Sequence, residues 1–289
     1  MENPAHKFTI NLLNTFETRT RRVRYARNLG SAVHRLCAIS LGLTIGLFEV
    51  VNGRAANILY VINSVVDPVT TANPNDQEVR DRLTAQGHTV ILVDDDTVSV
   101  ADTTGMNLIL ISSSSSSGAP GINPLSLNSL RTGRIPVICY EPGLYDELLF
   151  QRENTFGNAG MHTSIAISVA NQSHPLAAGK SGTIDIVEPG STATVSSSAL
   201  PYAVGANAII IATNATVGVD EGRICIWAYE KGSRLADDNT VVPGRRVAFF
   251  YNATTPAATY NTNATALFDA AIARSEEHTS ELQSQSNLV

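Results

Sequence analysis

The chain has 289 residues, with 20 Lys and Arg against 26 Asp and Glu, a formal charge of −6. That length allows one large domain or two small ones. The charge is uneven: +5 over residues 1–56, −9 over 57–273 and −2 over 274–289. An acidic middle without basic clusters argues against a nucleic-acid partner, whose phosphates demand a positive surface.

The first stretch reads as a leader. Six arginines between Arg19 and Arg35 precede an apolar run, Leu36 to Phe48, and small residues lead to Ala56. A positive region, a short apolar core and small residues describe a secretory signal. The core is too short for a membrane span. The expectation is a leader over residues 1–56, cleaved near Ala55 or Ala56. The mature protein would then be secreted or periplasmic, with no stable membrane span. At the other end, Arg274-Ser-Glu-Glu-His-Thr-Ser-Glu-Leu-Gln-Ser284 resembles a translated sequencing adapter. Residues 274–289 are therefore expected to be artefactual, with further native domains following Ala273.

Between these ends, Asn57 to Asn63 is a continuous apolar strand running into Ser64 and Asp67. Asn75 with Glu78 reads as a capping box opening a helix over residues 76–86, and Gly87 as its left-handed stop. His88 to Val93 is a second strand ending in three aspartates, Asp94 to Asp96. Met106 to Ile111 is a third, running into six serines, Ser112 to Ser117. A helix over residues 122–132 leads past Gly133 to a fourth strand, Ile135 to Tyr140, then Glu141-Pro142-Gly143. A short helix is expected over residues 144–150. Continuous apolar strands with crossovers mark a parallel sheet covered on both faces. The expected fold is α/β, a flavodoxin-like, doubly wound, mainly parallel sheet with β-rich additions in the second half. Those additions are short runs at residues 164–170, 183–187, 193–195, 208–212, 223–229 and 245–251. An amphipathic helix over residues 261–273 closes the domain, 57–273. Cys139 and Cys225 sit inside apolar runs and read as buried thiols.

Three segments carry a family resemblance: the first strand with its Asn/Asp loop, Pro136-Val-Ile-Cys-Tyr-Glu141-Pro-Gly, and His174-Pro175-Leu-Ala-Ala-Gly179. Together they resemble the ThuA-like (trehalose-utilisation-type) branch of the class I glutamine amidotransferase-like superfamily. The resemblance implies an exported bacterial protein and a cysteine five residues after a proline such as Pro136. Here that position holds Glu141. Cys139 lies two residues earlier, where a strand side chain is buried, whereas a nucleophilic thiol needs exposure and a lowered pKa.

Ligands of doubly wound sheets sit at the strand carboxyl ends. Glu141 could act there as general acid or base, or hold its own turn by accepting backbone N–H bonds. His174 could reach the same cleft and meet Glu141, or cap a turn. Asn63, Ser64, Asp67, Ser112 and Ser113 could hydrogen-bond a small polar ligand. Asp94 to Asp96 could hold a hard cation, but aspartates along an extended chain point alternately, which favours a solvated loop. No metal and no cofactor is expected; glycine-rich phosphate loops and a G-x-S-x-G elbow are absent. Four acceptor sequons begin at Asn171, Asn214, Asn252 and Asn263. The functional expectation is an exported, non-catalytic amidotransferase-like module that binds a small polar or carbohydrate-like ligand, or forms part of a larger extracellular protein. The alternative is a carbohydrate-active hydrolase or isomerase using Glu141 and His174.

Overall fold

The computed structural model describes residues 55–64, 72–117, 127–152, 157–218 and 220–286. The chain divides into a unit of residues 1–49 and a unit of residues 50–289, and the described residues belong to the second. The leader up to residue 54 and Asp67 lie outside them.

Eleven strands are found among the described residues, nine of them in one sheet. In chain order they are β1 (Asn57–Ile62), β2 (Thr89–Asp94), β3 (Leu108–Ile111), β4 (Val137–Cys139), β5 (Gly157–His162), β6 (Ser164–Ile167), β7 (Thr183–Asp185), β8 (Ala193–Ser197), β9 (Ile209–Asn214), β10 (Ile224–Tyr229) and β11 (Arg246–Ala248). The large sheet runs β2-β1-β3-β4-β11-β10-β9-β6-β7, and β5 pairs with β8 apart from it. The first four pairings in that order are parallel. The remaining four pairings are antiparallel. The sheet is thus mixed rather than mainly parallel. Connection length contributes: β9 ends at Asn214 and β10 begins at Ile224, too short a span for the crossover that parallel neighbours need.

The apolar runs behave as continuous buried strands should. Ile58, Tyr60 and Ile62 of β1 enter one core, and Leu59 and Val61 enter the other. The first core packs Val79 and Leu83 of α1 (Pro74–Ala85) and Leu267, Phe268 and Ile272 of α3 (Thr262–Ser286). The opposite face takes Leu130 of α2 (Leu127–Thr132) and residues 144–150.

Several local expectations are corrected. Helix α1 starts two residues early, capped by Asn73, whose side-chain oxygen accepts from Asn75 N and Asp76 N, both at 3.0 Å. Pro74 at the first helical position has no N–H to leave unpaired, which favours this start. Glu78 instead accepts from Ala258 N at 3.0 Å. Gly87 does adopt a left-handed φ of +93°. Residues 144–150 form no α-helix: a 3₁₀ turn over Pro142–Leu144 gives way to turns, and Leu149 takes a φ of 59°. Strand β5 had no apolar alternation to reveal it. Helix α3 continues to Ser286, and Ser275 is buried, donating to Ala271 O at 2.9 Å.

Candidate functional site

The carboxyl ends of β1, β3 and β4 meet the amino end of α1, and one buried carboxylate ties them together. Asp76 Oδ1 accepts from the Tyr60 hydroxyl at 2.7 Å and from Ser112 at 2.6 Å. Its Oδ2 accepts from Ser114 at 2.7 Å and from the Asn73 amide. The Tyr60 and Tyr140 hydroxyls share a further hydrogen bond. Burial drives both tyrosines well above their ordinary pKa, so both stay neutral.

The serine run is an ordered clasp. Ser113 accepts from Ala253 N at 2.5 Å, and Ser114 accepts from Asn63 N at 3.2 Å. Ser115 donates to Val61 O at 3.2 Å, and Ser116 N donates to Asp95. Ser64 N donates to Asp94 Oδ1 at 2.7 Å. Asn63, Ser64, Ser112 and Ser113 are therefore brought together, but as internal ties of the site. Asp76 was missed by sequence reasoning, although its signal was present. It lies three residues before Val79 and seven before Leu83, on the buried face of α1.

Above this network lies a shallow cleft, part of it open to solvent, whose enclosed room is about 10 Å³, enough for about one water. Its lining includes Asn75, Tyr140, Tyr251, Asn252, Thr255 and Tyr260. Tyr251 stacks on Tyr260 at 4.4 Å and on Phe268 at 4.9 Å, both with rings 17° apart. Asn252 is held by donating to Asn158 at 3.0 Å and accepting from the Thr254 hydroxyl at 2.6 Å. Among the described residues no basic side chain lines the cleft, and the one carboxylate there, Asp76, already accepts four hydrogen bonds. Aromatic faces beside amides and hydroxyls suit an uncharged polar ligand.

Glu141 stands just past β4 at the same end of the sheet. Its Oε1 accepts from Gly143 N at 2.7 Å. A Cβ at Gly143 would come within 2.7 Å of that oxygen and 2.5 Å of Ser117, so the turn demands glycine. Burial pushes the Glu141 carboxyl up to about 8, with the Gly143 N–H opposing and the Glu147 charge adding. It is protonated at neutral pH. Cys139 is fully buried, and burial drives its thiol well above the usual range.

His174 belongs elsewhere. Its Nδ1 accepts from Leu176 N at 3.2 Å, capping the His-Pro turn, and its Nε2 lies 3.4 Å from Glu230. Tyr229, just before Glu230, pairs with Arg246, which pairs with Val137 at the amino end of β4. Glu141 follows Cys139 at the carboxyl end. The proposed catalytic partners thus occupy opposite ends of the sheet. The sequons are also committed internally: Asn214 and Asn252 are buried, and the Asn171 and Asn263 amides donate to backbone carbonyls.

No family model and no curated protein matches the chain. Among solved structures it is similar to a protein from Bacteroides uniformis ATCC 8492 designated ThuA-like, at 8% identity and a TM-score of 0.44. The match covers 75% of this chain and 91% of that one. A likeness of this size fixes neither family nor activity.

Proposed function

We propose that the chain is an exported, non-catalytic module that binds a small, uncharged, carbohydrate-like ligand in the Tyr140–Tyr251–Asn252 cleft. Its scaffold is read as flavodoxin-like and doubly wound, of the amidotransferase-like, ThuA-like kind that its motifs resemble. The parallel order β2-β1-β3-β4-β11 supports that reading, as does the placing of α1 and α3 on one face and α2 on the other. The observation that carries the functional reading is the cleft's chemistry: stacked tyrosines with amides and hydroxyls and, among the described residues, no exposed cysteine. Glutamine hydrolysis has no thiolate to begin it, because Cys139 is buried and protonated. The hydrolase alternative needs Glu141 beside His174, and His174 is spent on Glu230.

Saturation-transfer NMR with a panel of mono- and disaccharides tests the proposal. Saturable signals are expected for at least one sugar. Ala257→Trp, which plugs the cleft without deleting a contact, should abolish them at unchanged melting temperature. Silence of the whole panel against the unmodified protein would overturn the ligand assignment. Export is tested separately, by mass spectrometry of the N-terminus of protein recovered from periplasm or medium. An intact Met1 on cytosolic protein would refute it.

A further inference from the structure

The aspartates that close β2 are gathered rather than splayed. Asp94 is the last residue of the strand, and the chain turns at once: Thr97 N and Val98 N both donate to Asp94 O, at 3.2 and 2.9 Å. The turn ends the alternation that would send neighbouring side chains to opposite faces. One carboxylate oxygen from each of Asp94, Asp95 and Asp96 lies within 4.8 Å of the others.

Nor is the cluster a solvated loop. Asp95 is 0% exposed and Asp94 5%, while Asp96 faces solvent. Asp94 Oδ1 takes the N–H of Ser64, and Asp95 Oδ2 takes that of Ser116. Asp95 Oδ1 is buried with no hydrogen-bond partner. It is the oxygen that Asp95 has left to offer the cluster. None of the three carboxylates forms an ion pair among the described residues. A buried carboxylate oxygen without a donor, next to two like charges, is costly.

We propose that Asp94, Asp95 and Asp96 form a binding site for a hard divalent cation, Ca²⁺ or Mg²⁺, completed by water. Oxygen-only ligands from carboxylates are what such cations select. Exposed Asp96 gives the ion its way in, and buried Asp95 supplies the oxygen that has no other partner. The site sits behind the serine clasp through Ser116 and beside β1 through Ser64. Its occupancy therefore bears on the clasp's stability. Burial, reinforced by Asp94 and Asp96, raises the Asp95 carboxyl above its usual range, although the Ser116 N–H and the Asn63 side chain oppose this. Asp95 protonation is accordingly the competing way to settle the cluster.

Calorimetric titration decides between them, using the full chain stripped with EDTA and then given CaCl₂ or MgCl₂. One saturable site with a dissociation constant on the order of 10⁻⁴ M is expected for at least one of the two ions. The melting temperature should rise with that ion's concentration, because it binds the native state alone. Asp96→Asn, an exposed change that spares the fold, should weaken binding by about tenfold or more, because it removes one negative charge and exchanges a carboxylate oxygen for a weaker amide one. Asp95→Asn should do the same. Asp81→Asn, which alters an exposed carboxylate on α1, should leave binding unchanged. Absence of binding to both ions, or equal binding by Asp96→Asn, would overturn the site and leave a protonated Asp95 as the explanation.

Discussion

Two buried polar clusters occupy the two ends of the same strands, and they are stabilised by different means. At the carboxyl end, Asp76 is surrounded by neutral donors: two serines, a tyrosine and an amide. At the amino end, Glu230 is matched by charge. Arg245 donates to it through Nε at 2.9 Å and Nη2 at 2.6 Å, Arg274 lies 3.7 Å away, and His174 3.4 Å. Arg245 also donates to Arg274 O, so this cluster fastens α3 to β10 and β11. Beside it, Arg246 ties the α2–β4 connection to β11 through the carbonyls of Gly133 at 2.7 Å and Ile135 at 3.1 Å. The first cluster leaves an aromatic cleft above it; the second serves the packing of the closing helix. The histidine that a motif singles out in the sequence belongs to the second.

The contrast is broken most severely at Asp76. Asp76→Ala strips the acceptor from three hydroxyls and an amide in a site that is 1% exposed. Hydrogen bonds to a charged group contribute about 1.5–3 kcal/mol each, without adding fully, so a loss of about 4 kcal/mol is expected in urea denaturation. A loss under about 1 kcal/mol would show that the network is not the hub described. Glu230→Ala should cost somewhat less, about 3 kcal/mol, because it leaves the fully buried Arg245 side chain without its carboxylate. The partial exposure of Glu230 itself, 24%, keeps the cost at the lower end.

Acidity sharpens the comparison, since the two glutamates shift in opposite directions. Burial alone would raise Glu230, but hydrogen bonds from His174 and Arg245 and the charges of Arg245 and Arg274 hold it far below its usual range. Its contribution is present above the ordinary glutamate pKa and is lost as pH falls through the lowered one. Glu141, raised to about 8 chiefly by burial, behaves in the reverse sense. The native state holds the proton where the unfolded chain has released it, so stability falls as pH climbs from about 4.5 to about 8. Glu141→Gln removes that dependence while keeping an oxygen for the Gly143 N–H. Its advantage over the unmodified protein should grow from pH 5 to pH 8, to the order of 2 kcal/mol. Parallel stability curves for the two proteins would refute the shift.

Much of the fold was legible because periodicity reports burial directly. The strands Asn57–Ile62, Leu108–Ile111 and Ile224–Tyr229 are apolar throughout and lie buried on both faces but for Asn57. Glycine at position 87 announced the end of α1 by its left-handed backbone. Pairing direction was less legible, since nothing in a short β run says whether its neighbour arrives by a turn or by a crossover. The site was readable by place but not by role. Asn63, Ser64, Ser112 and Ser113 do gather at the strand ends, yet the backbone N–H groups of the first two and the hydroxyls of the last two bond inside the protein. The residues facing the cleft, Tyr251 and Asn252, lie some 140 positions after Ser112, and only the fold brings Ala253 N to the Ser113 hydroxyl. His174 and Glu141 looked like partners because each sits in a motif of the family resemblance; the strand pairings put them at opposite ends of the sheet.

The smallest expected effect falls at Cys139, between the two clusters. The side chain is fully buried on β4 beside Val137, and its Sγ lies 3.5 Å from Glu141 O. Burial, with the Glu141 and Glu147 carboxylates adding to it against the Glu141 backbone contact, raises the thiol well above its ordinary pKa. A thiol kept protonated in a core is a small hydrophobe rather than a nucleophile. Cys139→Ala should therefore cost about 1 kcal/mol of stability, as a modest cavity in a packed interior does. Sugar binding in the cleft should be unaffected, because Cys139 faces the other core from Tyr140. In the folded protein Cys139 should resist iodoacetamide until unfolding exposes it. Rapid alkylation at neutral pH, together with release of ammonia from glutamine, would place a working nucleophile two residues before Glu141 and make the chain an amidohydrolase.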